Sequence, residues 1–361
     1  MRITVVISSL ACGGAERTAL AIVNHWAERG YKITLLTFEE IGIPPFYEVN
    51  QSIKLLPLGL AKNSHNLSQR IWNNLRRLIT LRVAIQKSTP DFVLSFLNRT
   101  NIRTLLSLIG TGVPVVISEQ TDPVHGNLAR NWQWLRNRIY PLASRVVTHT
   151  EQAAQYLTNL LGCEVVVIPN PVTPFEIKQQ VTSNMASVIV AVGALEREKG
   201  FDLLLRSLAQ ITAKHPNTIL RILGEGTQRT YLESLRAELG LNNQVYLPGR
   251  VKNIFSELSK ADLFVMPSRI EGFGNALCEA MACGLPVIAT DCMGPREIVR
   301  NGIDGLLVPV GDVKALANTI SDLLENKQQR EHLSMQAREI MKRVSLTEVM
   351  KHWDNLLAEL K

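Results

Sequence analysis

The chain is 361 residues long, 46% hydrophobic and 20% charged, which excludes a disordered or fibrous protein and is enough for two ordinary domains with separate cores. Its net charge is +7, and all of the excess lies in the first half: residues 1–170 carry 17 Lys and Arg against 10 Asp and Glu, whereas residues 171–361 carry 22 of each. No apolar run reaches the roughly 18 residues of a spanning helix, and no nucleic-acid-binding motif accompanies the charge, so the basic half is expected to face another anionic partner.

Met1-Arg2 and ITVVISSLAC have the outline of a short secretion signal ending at a lipidated Cys12, but the apolar stretch is very short and no processing pattern fits. A first buried strand at 3–8 is expected instead. A Gly-Gly turn follows, then a helix from Glu16 to Arg29 that stops at Gly30, and a strand at 31–38. Residues 67–87 have helical spacing, with Leu67, Ile71, Leu75, Leu78 and Ile79 along one face and Arg70, Arg76, Arg77 and Arg82 elsewhere. Residues 91–96, 114–118 and 145–150 are further β-rich runs, and 164–172 ends in prolines. Residues 131–145 interleave Trp132, Trp134 and Tyr140 with arginines.

The polar, aperiodic stretch 179–187 reads as a linker. The alternation then restarts with a strand at 188–195, a helix at 201–215, a strand and turn at 218–226 and a helix at 228–239. Strands are expected at 244–251, 261–268, 285–291 and 305–312. The last stretch, 345–361, is helical, with Leu346, Val349, Trp353, Leu356 and Leu360 in step. Continuously apolar strands alternating with helices predict two doubly wound, parallel, Rossmann-like α/β domains. Ligands of such sheets bind beyond the carboxyl ends of the strands, and with two domains the cleft between them is the natural active site. The five cysteines, Cys12, Cys163, Cys278, Cys283 and Cys292, form no CxxC and no zinc-spaced cluster, so they read as buried free thiols of a reducing cytoplasm.

Four stretches can carry chemistry. Gly13-Gly14-Ala15-Glu16, after the first strand, permits close approach of a ligand to the backbone at a helix start, where free N–H groups attract anions; GxGxxG is not met, and a plain turn is the alternative. In Val192-Gly193-Ala194-Leu195-Glu196-Arg197-Glu198-Lys199-Gly200, a glycine ends the strand and Arg197 and Lys199 can neutralise phosphates before the next helix; a solvated charged loop is the alternative. Leu223-Gly224-Glu225-Gly226 and Leu247-Pro248-Gly249-Arg250 read as strand ends, with Arg250 placed to meet a phosphate or base and the backbone of Val251 a base edge. In Glu271-Gly272-Phe273-Gly274-Asn275-Ala276, the backbone N–H groups of 273 to 276 would point at an anion as a helix begins. Glu279 would lie about one turn inside that helix and Glu271 before it, two carboxylates fit for sugar or ribose hydroxyls; two surface glutamates at a helix start are the alternative. There is no Asp-x-Asp, which disfavours a metal-bridged nucleotide-sugar site, no P-loop and no GxSxG elbow.

Together these residues resemble the retaining glycosyltransferases of family 4, which have the GT-B fold. The resemblance is carried by E-x7-E from Glu271 to Glu279 with its GFG, by CGGAE, by VIPNPV at 167–172, by VGxLxxxKGFDLLL at 192–205, and by GLPVIATD and NGIDGLLVP. It implies an acceptor-binding N-terminal domain at 1–171 and a nucleotide-sugar-binding domain at 186–344, facing a central cleft, with the helix at 345–361 packing back on the first. It gives Glu271 to the donor sugar, Glu279 to the ribose and Lys199 to the diphosphate. Gly193, Arg197 and the Gly272–Ala276 loop join the donor site, and Arg250 and Val251 lie where the base is read. Gly13 and Gly14 approach the donor phosphate and the acceptor. Members usually carry Arg where this chain has Ala194, so Arg197 is the candidate replacement, and many carry a His where ISEQTDP places Glu119, which is taken as an acceptor-side residue. His125 and His149 are alternatives to it.

The implied reaction moves a hexose or N-acetylhexosamine from a UDP-sugar with retained configuration, without metal or cofactor. The attack comes on the face that the phosphate leaves, and the cleft closes to exclude water. The implied setting is surface-polysaccharide or lipid-linked oligosaccharide assembly in the cytoplasm. Residues 67–87 and 131–145 suit an anionic membrane surface and a lipid-diphosphate acceptor as well as a core-facing helix with a basic rim. The rivals are a sugar-nucleotide epimerase, a sucrose-type transferase and a catalytically silent binding protein of the same fold.

Overall fold

A computed structural model describes residues 1–60, 67–126, 128–173 and 187–360, apart from the side chains of Leu67, Ser68 and Arg70. The stretch expected to be the linker, 179–187, lies outside the described residues except for Ser187. Two compact units result, one of residues 1–171 with 349–361, the other of residues 172–348.

The first unit holds a seven-stranded parallel sheet of β1 (Arg2–Ile7), β2 (Lys32–Thr37), β3 (Lys54–Pro57), β4 (Phe92–Phe96), β5 (Val115–Ser118), β6 (Arg145–Thr148) and β7 (Val165–Val167), in the order β3-β2-β1-β4-β5-β6-β7. All five residues of β4 are buried, as a strand covered by helices on both faces requires. The edge strand β3 was not foreseen: KLLP is short, half-buried and ends in proline, features tolerated at an edge and invisible to periodicity. The run expected at 164–172 stops at Val167, because Pro169 and Pro171 have no N–H to extend the ladder. One core cluster includes Val6, Leu81, Ile85, Val93, Ile117 and Tyr140.

Helix Leu67–Ser88 turns most of the apolar face named from the sequence away from the core. Leu81 and Ile85 are fully buried, while Ile71, Trp72, Leu75, Ile79 and Val83 are exposed by 64, 66, 48, 55 and 42%. The helix is anchored by its arginines instead: Arg77 donates to Leu60 O at 2.9 Å and Arg82 to the carbonyls of Ser107 and Ile109 at 3.1 and 3.0 Å. The aromatic-basic stretch also divides, with Tyr140 in the core, Trp132 half-buried and Trp134 exposed.

The second unit holds β8 (Val188–Val192), β9 (Ile219–Leu223), β10 (Val245–Gly249), β11 (Leu263–Met266), β12 (Val287–Thr290) and β13 (Leu306–Val308), parallel, in the order β10-β9-β8-β11-β12-β13. Ile189 and Ala191 of β8 enter one core cluster and Val190 the other, the two-residue alternation of a strand buried on both faces. In each sheet the chain order reverses between two central strands, β1 and β4 in the first unit, β8 and β11 in the second. Loops leaving such a pair diverge and open a crevice beyond the strands' carboxyl ends. Helix Leu346–Glu359 joins the first unit from Val349 on. Its buried face is Val349, Met350, Trp353, Leu356 and Leu357; Leu346 and Leu360, expected on that face, are only half-buried at the ends.

Candidate active site

Two loops leave the carboxyl ends of β8 and β11 and meet. After β8 a 3-10 turn, Arg197–Lys199, ends at Gly200, whose φ of +66° favours glycine. The β11 loop is tied to it: the Arg269 N–H donates to Glu198 O at 2.7 Å, and the Arg269 guanidinium forks onto Asp202 with two bonds of 2.7 Å and reaches Arg197 O at 3.0 Å. The result is a half-buried ion pair, Lys199 Nζ to Glu271 Oε2 at 2.5 Å, with Ser268 Oγ donating to the same oxygen at 3.3 Å. Glu271 is further fixed by its carbonyl, which accepts from Gly294 N at 3.0 Å.

A Cβ on Gly200 would lie 2.0 Å from Pro267 O, in the loop that carries Glu271. Gly200→Ala is therefore expected to lower stability by about 1–3 kcal/mol, from the left-handed backbone together with the clash. It should also pull Lys199 from Glu271, so that activity falls further than the loss of folded protein explains. Activity per folded molecule equal to wild type, with folding followed by thermal melting, would refute the coupling.

Helix Asn275–Ala282 follows at once, started by Gly274 at φ +114°, whose carbonyl accepts from Leu277 N and Cys278 N at 3.0 and 3.1 Å. Phe273 is 6% exposed and packs in the core beside Leu277, so the ring of the GFG motif anchors the loop from below. Gly294 sits so close to it that a Cβ there would be 2.1 Å from Phe273 O. Gly272, Asn275 and Ala276 are half-buried, and Glu279 is 4% exposed, inside the helix. Burial pushes the neighbouring thiols up, Cys283 to about 12 and Cys292 to about 11, so neither acts as a nucleophile near neutrality.

The ends of β8, β9 and β10 are laced together through Gly193 N to Leu223 O at 3.0 Å, Leu195 N to Glu225 O at 3.0 Å and Gly224 N to Gly249 O at 2.9 Å. Gly193 and Gly224 touch: a Cβ on Gly224 would be 1.9 Å from Gly193 O. Of the charges here, Glu225 is held by Arg229 at 2.7 and 2.5 Å and Glu196 accepts from Thr227 N at 2.9 Å. Arg197 is exposed and enters no ion pair among the described residues, and Ala194, in the loop between β8 and the Arg197–Lys199 turn, is exposed too. Arg250 is exposed just past β10, and Val251 packs on the core.

In the first unit, Gly13 is the extended N-cap of helix Gly14–Glu28, with its carbonyl accepting from Arg17 N at 3.1 Å. Burial raises the Glu16 carboxyl, which accepts from Ser9 Oγ at 3.3 Å. Glu119, read as an acceptor-side residue, is 0% exposed. Tyr140 donates to its Oε2 at 2.8 Å and Thr121 Oγ1 to its Oε1 at 2.7 Å, and burial raises its carboxyl. It positions Thr121 and Tyr140 from within the unit. His149 is also buried, its Nδ1 2.8 Å from Ile168 O, and burial pushes it down to about 4. His125 is bonded to Asp122 at 3.1 Å. Sequence reasoning missed Ser268, Gly294 and the Asp202–Arg269 fork: Ser268, Gly294 and Arg269 lie in no motif quoted above, and Asp202, inside the KGFD motif, gave no sign of its partner 67 residues on.

Residues 12–174 match the family model described as "Glycosyltransferase Family 4", and residues 172–340 the one described as "Glycosyl transferases group 1". The chain is 31% identical to the lipopolysaccharide core biosynthesis glycosyltransferase LpsE of Rhizobium meliloti, covering 91% of each chain. It is 25% identical, over 100% of this chain and 99% of the relative, to a Campylobacter jejuni transferase of N-acetylgalactosamine onto a GalNAc-GalNAc-diNAcBac-PP-undecaprenol. Among solved structures, Anabaena HepE in complex with UDP-glucose superposes with a TM-score of 0.81 at 20% identity, over 99% of this chain and 100% of that one.

Proposed function

The chain belongs to the family 4 glycosyltransferases of GT-B fold, and from that premise we propose that it moves a hexose or N-acetylhexosamine from a UDP-sugar, with retained configuration, onto a lipid-linked or surface glycan. The observation that carries this reading is the Lys199–Glu271 contact at the reversal of strand order in the second unit. It sets a cation fit for a diphosphate beside a carboxylate fit for a sugar. As the sugar–oxygen bond breaks, the diphosphate, already doubly charged, gains one further negative charge, and Lys199 and the start of helix Asn275–Ala282 stabilise it, with no metal in the scheme. Glu271 orients the sugar and Glu279 takes the ribose hydroxyls. Gly193, Gly272 and Gly274 keep the backbone open to the diphosphate, with Arg197 at its edge. Arg250 and Val251 lie by the base, and Gly13 and Gly14 serve the acceptor in the first unit. The acceptor hydroxyl attacks on the face that the phosphate leaves and gives its proton to a leaving-phosphate oxygen.

A screen of UDP-sugars with lipid-linked glycan extracts, read as UDP release and followed by product analysis, tests the reading. Acceptor-dependent release with an α-linked product from an α-donor is expected. Saturable UDP binding without turnover would favour a silent protein of the fold, and a rearranged nucleotide sugar an epimerase.

We also propose peripheral docking on an anionic membrane, as its lipid-linked acceptor would favour. No helix among the described residues is long and apolar enough to cross a membrane. The exposed stripe Ile71, Trp72, Leu75, Ile79 and Val83, with Arg76 exposed beside it, suits shallow insertion. Trp72→Asp with Leu75→Asp should weaken flotation with anionic liposomes roughly 10²-fold, as loss of two inserted apolar side chains predicts. Flotation equal to wild type, or insensitive to high salt, would sink the docking proposal.

A further inference from the structure

The first unit has its own crevice at the reversal of strand order between β1 and β4. Ser8, just past β1, and Leu97 to Thr100, just past β4, line a cavity of about 360 Å³, inside the range of small-ligand sites at about 300–1,000 Å³. Helix Asn98–Leu108 starts there without a side-chain cap, after Leu97 at a φ of +73° that non-glycine residues rarely adopt. Its amide end faces the cavity together with three guanidinium groups.

Arg99 and Arg103 lie over the ring of Trp132, at 5.4 and 5.3 Å from its centroid, and Arg103 also lies over Phe38 at 5.7 Å. Neither enters an ion pair among the described residues. Arg136, 4% exposed, lines the same cavity, and the single hydrogen bond of its guanidinium among those residues is a long one to Asn137 at 3.4 Å. Asp122 is the one carboxylate among the described lining residues, and it is already committed: Oδ1 accepts from the amides of Val124 and His125 at 2.8 and 2.9 Å, and Oδ2 faces His125 Nδ1 at 3.1 Å. Burial, with Arg77 and Arg99 close by, pushes the Arg103 guanidinium down to about 10. Arg136 also has the buried Glu119 carboxylate close enough to act on it, so three cations meet two carboxylates, Asp122 and Glu119, that are already hydrogen-bonded within the unit. The excess of buried positive charge is costly unless an anion completes it.

We propose that this cavity binds a phosphate or diphosphate ester, held by Arg99, Arg103 and Arg136 and by the start of helix Asn98–Leu108. Assigning the ester to the lipid-diphosphate acceptor rests on the glycosyltransferase reading above; the anion site does not.

Calorimetry of the full chain with inorganic pyrophosphate at low salt tests the site. Lys199→Ala should keep this binding, which places it away from the donor site, and Arg103→Gln should weaken it roughly 10- to 100-fold, the loss expected for one charged hydrogen bond. Arg99 is exposed, so Arg99→Gln keeps the test open should Arg103→Gln not fold. Binding unaffected by either change, or abolished by Lys199→Ala alone, would overturn the site. Kinetics then separate the sources of the phosphate. Arg103→Gln should raise KM for a diphosphate-linked acceptor by a similar factor and leave KM for the donor and for the same glycan without phosphates unchanged. Arginine-dependent pyrophosphate binding with unchanged acceptor KM would support the site for a free phosphate and overturn the acceptor assignment. Absence of turnover with every acceptor would fault the glycosyltransferase reading, while the calorimetry still decides the site.

Discussion

Lys199→Ala should lower kcat about 10²- to 10³-fold, the usual effect of removing one preorganised group from developing negative charge. The expectation comes from where Lys199 stands. Its turn closes at Gly200, its loop is clamped by Arg269 on Asp202 and on the Arg197 and Glu198 carbonyls, and its ammonium is held 2.5 Å from Glu271. A diphosphate leaving group gains charge as the sugar departs, so a fixed ammonium stabilises the transition state more than the bound donor. The loss should therefore fall mainly in kcat, with a smaller rise in donor KM. Glu271→Gln should also cut kcat. Because the two side chains form one contact, the double variant should lose little more than the worse single variant. Steady-state UDP release with a donor that the wild type accepts measures all three. A Lys199→Ala enzyme within about threefold of wild type would remove Lys199 from the mechanism, since charge stabilisation of this kind is worth far more.

Trp353→Ala should be the most destabilising single change in the C-terminal helix, at about 3–5 kcal/mol for truncating a buried Trp. Trp353 is 1% exposed and packs edge-on against Trp26, with ring centroids 6.0 Å apart at 85°; Trp26 in turn meets Phe92 of β4 at 6.4 Å and 86°. The last helix thereby reaches the sheet through the helix Gly14–Glu28. Around this core the Arg29–Asp354 and Arg145–Glu359 pairs are partly exposed, so Asp354→Asn should cost no more than about 1 kcal/mol. Hydrogen exchange reads the difference. Amides of Leu346–Glu359 and Gly14–Glu28 should lose protection by roughly two to four decades in Trp353→Ala, the equivalent of that free energy. Protection changed less than tenfold would mean that the aromatic stack is not what holds the helix.

Much of the fold was legible because it is local. Apolar runs such as DFVLSF, broken by glycine and proline, mark strands whatever lies far away in the chain, and their alternation with helices already demanded parallel sheets. The short edge strand β3 escaped because KLLP has neither length nor alternation. Helical spacing at 67–87 was real but could not say which face turned inward; Leu81 and Ile85 took the core and left Ile71, Leu75 and Ile79 outside. Residue type could not place Glu119 either, since a carboxylate can be buried where Tyr140 and Thr121 satisfy it.

The sequence by itself determined most of the elements, the two-domain α/β class and the motif residues around Glu271 and Lys199, because periodicity, turn chemistry and motif spacing act over a few residues. Only the tertiary structure decided that Lys199 and Glu271, 72 positions apart, touch, because that contact exists only where β8 and β11 lie side by side. The same holds for the arginines of the first unit. Arg99, Arg103 and Arg136 are three of many basic residues along the chain, and the crossing of β4 past β1 brings them to one cavity with a single, already committed carboxylate among its described lining residues. Long-range strand neighbours and burial are set by packing of the whole unit, which no local window of sequence contains.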